Sequence, residues 1–130
     1  MTWVPVFAVF VVSHLTGDYL LQTEWQATHK RGGLTGGGVS RRALFWHVGT
    51  YLAAYIPAFI WLWGSLGAGV LLLAVLIGLP HLIQDDGRLL AAYARSVKHT
   101  DLAGRPPLGA AVDQSAHVLA LFLTALVVGR

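Results

Sequence analysis

Three His/Asp pairs, each with its members four residues apart, set the chemistry this 130-residue chain can do: His14 with Asp18, His81 with Asp85, and Asp113 with His117. A spacing of i, i+4 places both members of a pair on one face of a helix. The order is reversed in the last pair, as it must be if that helix runs the opposite way and the histidine is to lie deeper. At about 1.5 Å of rise per residue, each carboxylate then sits about 6 Å nearer one end of the bundle. His47 has no such partner but enters its own segment at a comparable depth. Imidazole nitrogen and carboxylate oxygen without sulfur suit zinc, manganese, iron or cobalt. The chain has no cysteine, which removes disulfides and thiolate sites. The candidate metal ligands are therefore His14, Asp18, His47, His81, Asp85, Asp113 and His117. This set exceeds one tetrahedral zinc and fits one or two divalent ions (Zn, Mn or Fe), or one ion with supporting groups. A set of His–Asp hydrogen-bonded clamps tying helices together would use the same residues.

The elements that must hold them are membrane spans. Hydrophobic residues make up 55% of the chain and charged residues 12%, with mean hydropathy +0.62. A soluble domain carries about 25% charge, so this surface could hardly be covered with water-facing groups. Four apolar runs of the length that crosses a bilayer core stand at about residues 3–22, 43–63, 66–86 and 109–128. The expected fold is all-α: one integral-membrane domain over residues 1–130, a four-transmembrane-helix antiparallel bundle. A short amphipathic helix from Arg88 to about Lys98 follows the third span, with Leu89, Leu90, Tyr93 and Val97 as its apolar side at the interface. Residues 23–42 read as a polar, glycine-rich loop, Gly64 to Gly67 as a tight turn, and Arg105-Pro106-Pro107 as a stiff stop before the fourth span. Pro57 falls inside the second span, and Pro80 removes a helical hydrogen bond beside His81, a place for the helix to open. The start of the chain lacks a basic n-region and reads as a retained span rather than a signal peptide.

Eight of the nine Lys/Arg lie in the segments joining spans one to two and three to four. By the positive-inside rule that side is cytoplasmic and both termini face out. Trp3, Trp61 and Trp63 mark the outer interface, Trp25 and Trp46 the inner one. The expected location is a bacterial inner (cytoplasmic) membrane, with the metal site near the cytoplasmic face. A net charge of +3 and a pI near 9.7 would suggest nucleic acid for a soluble protein. Here the charge is loop charge, and the expected partners are membrane lipids, not nucleic acid.

Around the centre, Gln22 continues the His14/Asp18 stripe and can hydrogen-bond a ligand or substrate. Asp86 and Gln114 are turned about 100° from their ligating neighbours on an ideal helix. Asp86 is expected to cap or to pair with Arg88. Tyr19 and Tyr51 fit the interface belt better than the centre, and Glu24, His29, His99 and Asp101 read as ordinary loop residues. The glycine-rich loop lacks the Gly-Lys-Ser/Thr ending of a nucleotide-binding P-loop. No Gly-x-Ser-x-Gly element or Ser/His/Asp constellation stands out.

His14-Leu-x-x-Asp18-Tyr-Leu-Leu-Gln22, His47, His81-x-x-x-Asp85 and Asp113-Gln-x-x-His117 together resemble a family of small bacterial and phage integral-membrane proteins, a domain of unknown function. The resemblance covers nearly the whole chain and implies the fold and the site, not the reaction. A looser resemblance links the chain to membrane-bound, metal-dependent hydrolases, which also set His and Asp near helix ends. The leading expectation is metal-dependent hydrolysis of a lipid or phosphoester at the cytoplasmic leaflet, with Asp85 or Asp113 as base. Gln22, Arg41, Arg42 and Arg88 would hold an anionic substrate. A proton or divalent-metal transporter would use the same residues as a pathway, but needs polar groups through the outer half, where spans one and four carry few beyond Thr2 and Thr124. The third class is a small structural or accessory membrane protein whose polar layer fixes helix register. Small residues Gly64, Gly67 and Gly69 permit close helix contact without fixing an oligomer.

Overall fold

The computed structural model describes residues 2–130, and among them all regular structure is helical. Helix α1 (Trp3–Leu15) runs into a π-helical turn, Thr16–Leu21. Helix α2 (Glu24–His29) follows, then α3 (Gly38–Ala54), α4 (Ile56–Leu66), α5 (Gly69–Asp86), α6 (Arg88–Val97) and α7 (Pro106–Val128).

Local chemistry sets most of the boundaries. Thr23 and Gln26 form a reciprocal capping box that starts α2 inside the stretch expected to be loop. Helix α3 begins at Gly38, before the expected start of the second span at residue 43. Pro57 has no N–H to donate and its ring crowds the preceding turn. The helix accordingly breaks at Tyr55, and α3 and α4 meet at a bend of 57°. Helix α4 continues to Leu66, so the turn expected at 64–67 shrinks to Gly67 and its neighbour. Pro80 sits inside α5 without ending it. Pro106 and Pro107 open α7 rather than stop the chain before it, because proline suits the first helical turn, where no internal donor is needed. Gly87, at φ 83°, makes the left-handed corner between α5 and α6.

Neighbouring helices run antiparallel. Trp3 and Phe7 at the start of α1 meet Phe122 near the end of α7, at ring-centroid distances of 5.4 and 5.7 Å. At the other end of the same pair, His14 reaches Gln114. Phe10 of α1 packs at a tilt against Tyr55, and His14 meets the Tyr51 ring of α3 edge-on. His47 of α3 meets His81 of α5, and Gln84 of α5 bonds the Ala116 carbonyl of α7, which closes the ring. The interior at the end away from α2 and α6 is apolar, with Phe10, Tyr55, Leu62, Leu73, Ile77 and Leu121 all buried. Outward faces are apolar too, with Ile60, Leu71, Leu72 and Leu123 all exposed. Three helical stretches are long and apolar enough to cross a membrane, Trp3–Leu21, Gly69–Asp86 and Pro106–Val128; the bent pair Gly38–Ala54 plus Ile56–Leu66 makes a fourth if it counts as one span.

Candidate metal centre

At the polar end of the bundle four donor atoms from three segments converge. His47 comes from α3, His81 and Asp85 from α5, and Asp18 from the π turn; all are buried. His47 Nε2 lies 3.0 Å from His81 Nε2, 2.8 Å from Asp85 Oδ2 and 3.2 Å from Asp18 Oδ1. His81 Nε2 lies 3.0 Å from Asp85 Oδ2 and 3.5 Å from Asp18 Oδ1. Ligands about 2.0–2.1 Å from a tetrahedral zinc are separated from one another by about 3.3–3.4 Å. Those five edges bracket that value, and all four atoms lie within 4.8 Å of one another, so the group could hold one ion.

A second group, Asp85, Asp113 and His117, shares Asp85 with the first. His117 Nε2 is 3.4 Å from Asp85 Oδ1, the oxygen turned away from the histidine pair. His117 Nδ1 bonds the Asp113 backbone carbonyl at 2.8 Å and stands 3.7 Å from its carboxylate. Asp113 is the least enclosed of the three, with its side chain 30% exposed.

The pairs along each helix turn out to matter less than the pairs across helices. Only His81–Asp85 closes to 3.0 Å within one helix; His14–Asp18 stands at 3.8 Å. The wider π winding between those two residues carries Asp18 off the His14 stripe and onto His47 and His81. Gly17 makes this possible, since a Cβ there would meet the Tyr51 ring at 2.6 Å. His14 itself is outside both ligand groups. Its Nδ1 lies 3.1 Å from the Tyr51 hydroxyl and its Nε2 2.8 Å from Gln114 Oε1.

Sequence reasoning therefore misplaced several neighbours. Tyr51, expected in the interface belt, is buried at the centre, with its ring flat against His81 at 3.4 Å and its hydroxyl 2.8 Å from that of Tyr55. The Tyr55 hydroxyl donates to the Phe10 carbonyl. Gln114, expected to point away, donates to Asp18 Oδ2 and Asp113 Oδ2, each at 3.2 Å, while its oxygen meets His14. Asp86 does pair with Arg88, at 2.6 Å, and also accepts the Leu34 backbone N–H at 2.9 Å. That carboxylate raises the Arg88 pKa above its ordinary value.

The mouth of the centre lies under α2. Lys30, unremarked in the sequence except as loop charge, donates to Asp85 Oδ2 at 2.9 Å and to Gln22 Oε1 at 2.6 Å. Gln22 thus holds Lys30 rather than facing the ligand atoms. A cavity of about 370 Å³ opens there, lined among others by Lys30, Arg31, Gln84, Asp85 and Asp113. The expected substrate-binding arginines are elsewhere. Arg41 is exposed on α3, Arg42 lies over the Trp25 ring at 5.3 Å, and Arg88 is engaged with Asp86 and Thr35. Arg31 is the arginine on the cavity wall, with its stem over Gly87.

No curated protein and no solved structure matches this chain. A family model described as Protein of unknown function (DUF3307) matches residues 6–129, which span the donor atoms, their helices and the mouth. The chain, with its buried His/Asp cluster and apolar helices, belongs to that family of unknown function, DUF3307.

Proposed function

We propose that the protein is an integral-membrane, metal-dependent hydrolase acting on an anionic phosphoester, with its centre at the cytoplasmic end of a four-span bundle and α6 lying along the interface. One observation carries the reading: four buried donor atoms on His47, His81, Asp18 and Asp85 stand 2.8–3.5 Å apart along the measured edges. A hydrogen-bonded clamp accounts for this less well. It leaves Asp18 Oδ1, one of the four converging donor atoms, buried without a hydrogen-bond partner, and a half-satisfied polar network is costly.

Charge favours a single divalent ion. Asp18, Asp85 and Asp113, when ionised, carry three negative charges, Lys30 on Asp85 offsets one, and one divalent cation brings the set to neutrality. Buried charge is tolerated when it is balanced in this way. Asp18, His47, His81 and Asp85 would hold the ion, with His14, Gln114 and Tyr51 fixing the orientation of their surroundings. The ion would polarise the scissile bond and acidify a water molecule. Asp85 is fully engaged by Lys30 and three histidines, so of the two candidate bases Asp113 is the one free to take a proton. Arg31 on the cavity wall, outside that balance, would attract an anionic phosphoester. A transport pathway fits poorly, because beyond the Tyr51 and Tyr55 hydroxyls, which are hydrogen-bonded to each other and to the Phe10 carbonyl, the buried cluster is apolar. The cytoplasmic placement rests on the Lys/Arg distribution.

The test uses full-length protein purified in detergent. Elemental analysis should find about one zinc, manganese or iron per chain, lost in His81→Ala. Metal-loaded protein should hydrolyse members of a panel of phospholipids and soluble phosphoesters, with activity abolished by a chelator and by Asp113→Asn. Absence of metal from the wild type overturns the centre, and metal-loaded protein inert to the whole panel overturns the hydrolase.

A further inference from the structure

We infer that the phosphoester is carried on a lipid, a phosphatidic-acid-like amphiphile whose acyl chain lies in an apolar groove between α6 and α7 while its headgroup enters the polar cavity. The inference rests on the proposed function for what happens to the headgroup, and on separate observations for where the chain lies.

The groove has a volume of about 550 Å³, within the ordinary range of ligand pockets of about 300–1,000 Å³. Leu89, Leu90 and Tyr93 form its α6 wall, and Val112, Ala116 and Leu119 the main part of its α7 wall. It exists because Ala111 and Ser115, one turn apart on α7, are too small to fill the space opposite the α6 leucines. The two compartments touch. Leu90 lines both the groove and the polar cavity, and along α7 Ala110 faces the cavity while Ala111 faces the groove. A molecule with one charged and one apolar part can therefore occupy both at once.

Chemistry selects the occupant. The cavity side presents Lys30 and Arg31 beside Asp85 and Asp113, whose charge the proposed ion would offset, and Gln84 Oε1 there has no hydrogen-bond partner and can accept from a hydroxyl. The groove side offers almost no polar group besides the Ser115 hydroxyl, which already bonds the Ala111 carbonyl, and the Lys98 side chain. Lys98 can lay its apolar stem along the groove and keep its ammonium at the headgroup level. Around the opening, Leu89, Tyr93, Val97, Leu119 and Leu123 are all exposed, so in the membrane reading the groove opens sideways onto acyl chains. An anionic headgroup with one acyl chain laid in the groove, any second chain remaining among the surrounding lipid, matches both walls; a free phosphate matches one.

The test measures binding of phosphatidic acid bearing a fluorescent acyl chain to full-length protein in neutral-detergent micelles. Competitors are unlabelled phosphatidic acid, phosphatidylcholine and glycerophosphate, and metal content is measured on the same samples. Ala111→Trp and Ser115→Trp, both on the exposed face of α7, fill the groove and should each weaken binding by about tenfold or more, with metal content unchanged. Arg31→Gln should weaken it by about tenfold, and phosphatidic acid should outcompete both other competitors by a similar factor. Wild-type affinity in both tryptophan variants, or glycerophosphate competing as well as phosphatidic acid, overturns the inference. Protein that holds no metal yet binds phosphatidic acid with these sensitivities overturns the proposed hydrolase and leaves the lipid site standing.

Discussion

Replacing His47 with phenylalanine should cost the centre two to three orders of magnitude in zinc affinity, whereas the same replacement at His14 should cost far less. Phenylalanine keeps roughly the volume of the buried ring, so the helices can stay packed. His47 Nε2 is the hub of the cluster, within 2.8–3.2 Å of Asp85, His81 and Asp18. Structural zinc held by four ligands binds with about 10–16 kcal/mol, so one ligand carries about 2.5–4 kcal/mol. At about 1.4 kcal/mol per tenfold, that is a loss of roughly a hundred- to a thousandfold. His14 reaches the centre through Gln114 to Asp18 and through Tyr51 to His81, and fits the role of a supporting group, whose loss typically costs about 10–100-fold. The assay is competitive titration with a chelating zinc indicator in detergent, with elution volume and circular dichroism confirming that each variant is folded. Equal losses at the two positions, or a folded His47→Phe protein binding zinc as the wild type does, would refute the division of the site into ligands and supports.

Three further outcomes follow from the same geometry. Lys30→Met should tighten divalent-ion binding by about tenfold or more at low salt, because its ammonium sits 2.9 Å from a ligand oxygen and like charges about 5 Å apart repel by about 3 kcal/mol per unit charge at an effective dielectric near 20; weaker binding would show that the ammonium supports the site. Gln114→Leu leaves His14 Nε2 without its partner and takes one from Asp18 Oδ2, and should destabilise the fold by about 1–3 kcal/mol, read as a lower denaturation midpoint. Gly87→Ala forces a Cβ onto a left-handed corner and against Arg31, and should cost about 1–2 kcal/mol by the same measurement; an unchanged midpoint would mean that the corner relaxes.

The apolar runs and the His/Asp spacing were enough to read the helical architecture and the depth at which polar groups gather, because both are properties of single helices. What stayed hidden was what depends on two chain segments at once. Lys30 and Asp85 are 55 residues apart, and nothing local marks them as a pair. Gln114 was set aside on the assumption of ideal winding and a site facing Asp113, yet the neighbour it serves is on α1. Two signals were present in the sequence and outweighed. Tyr51 and Tyr55 continue the His47 stripe at i+4 and i+8, and Thr23 with Gln26 is a capping box in what reads as loop. The π turn at Thr16–Leu21 follows no propensity rule; the close approach of Gly17 to Tyr51 makes room for it.

The sealed apolar end also bears on where an ion would come from. With Phe10, Tyr55, Leu62, Leu73, Ile77 and Leu121 closing the interior, an ion held by the proposed centre would exchange through the opening beside Lys30. It would then equilibrate with the free-metal pool of a single compartment. Nitrogen and oxygen donors rank divalent ions in much the same order in any protein, so loading is governed by supply in that compartment. The same chain produced in hosts with different zinc and manganese homeostasis should emerge carrying different metals.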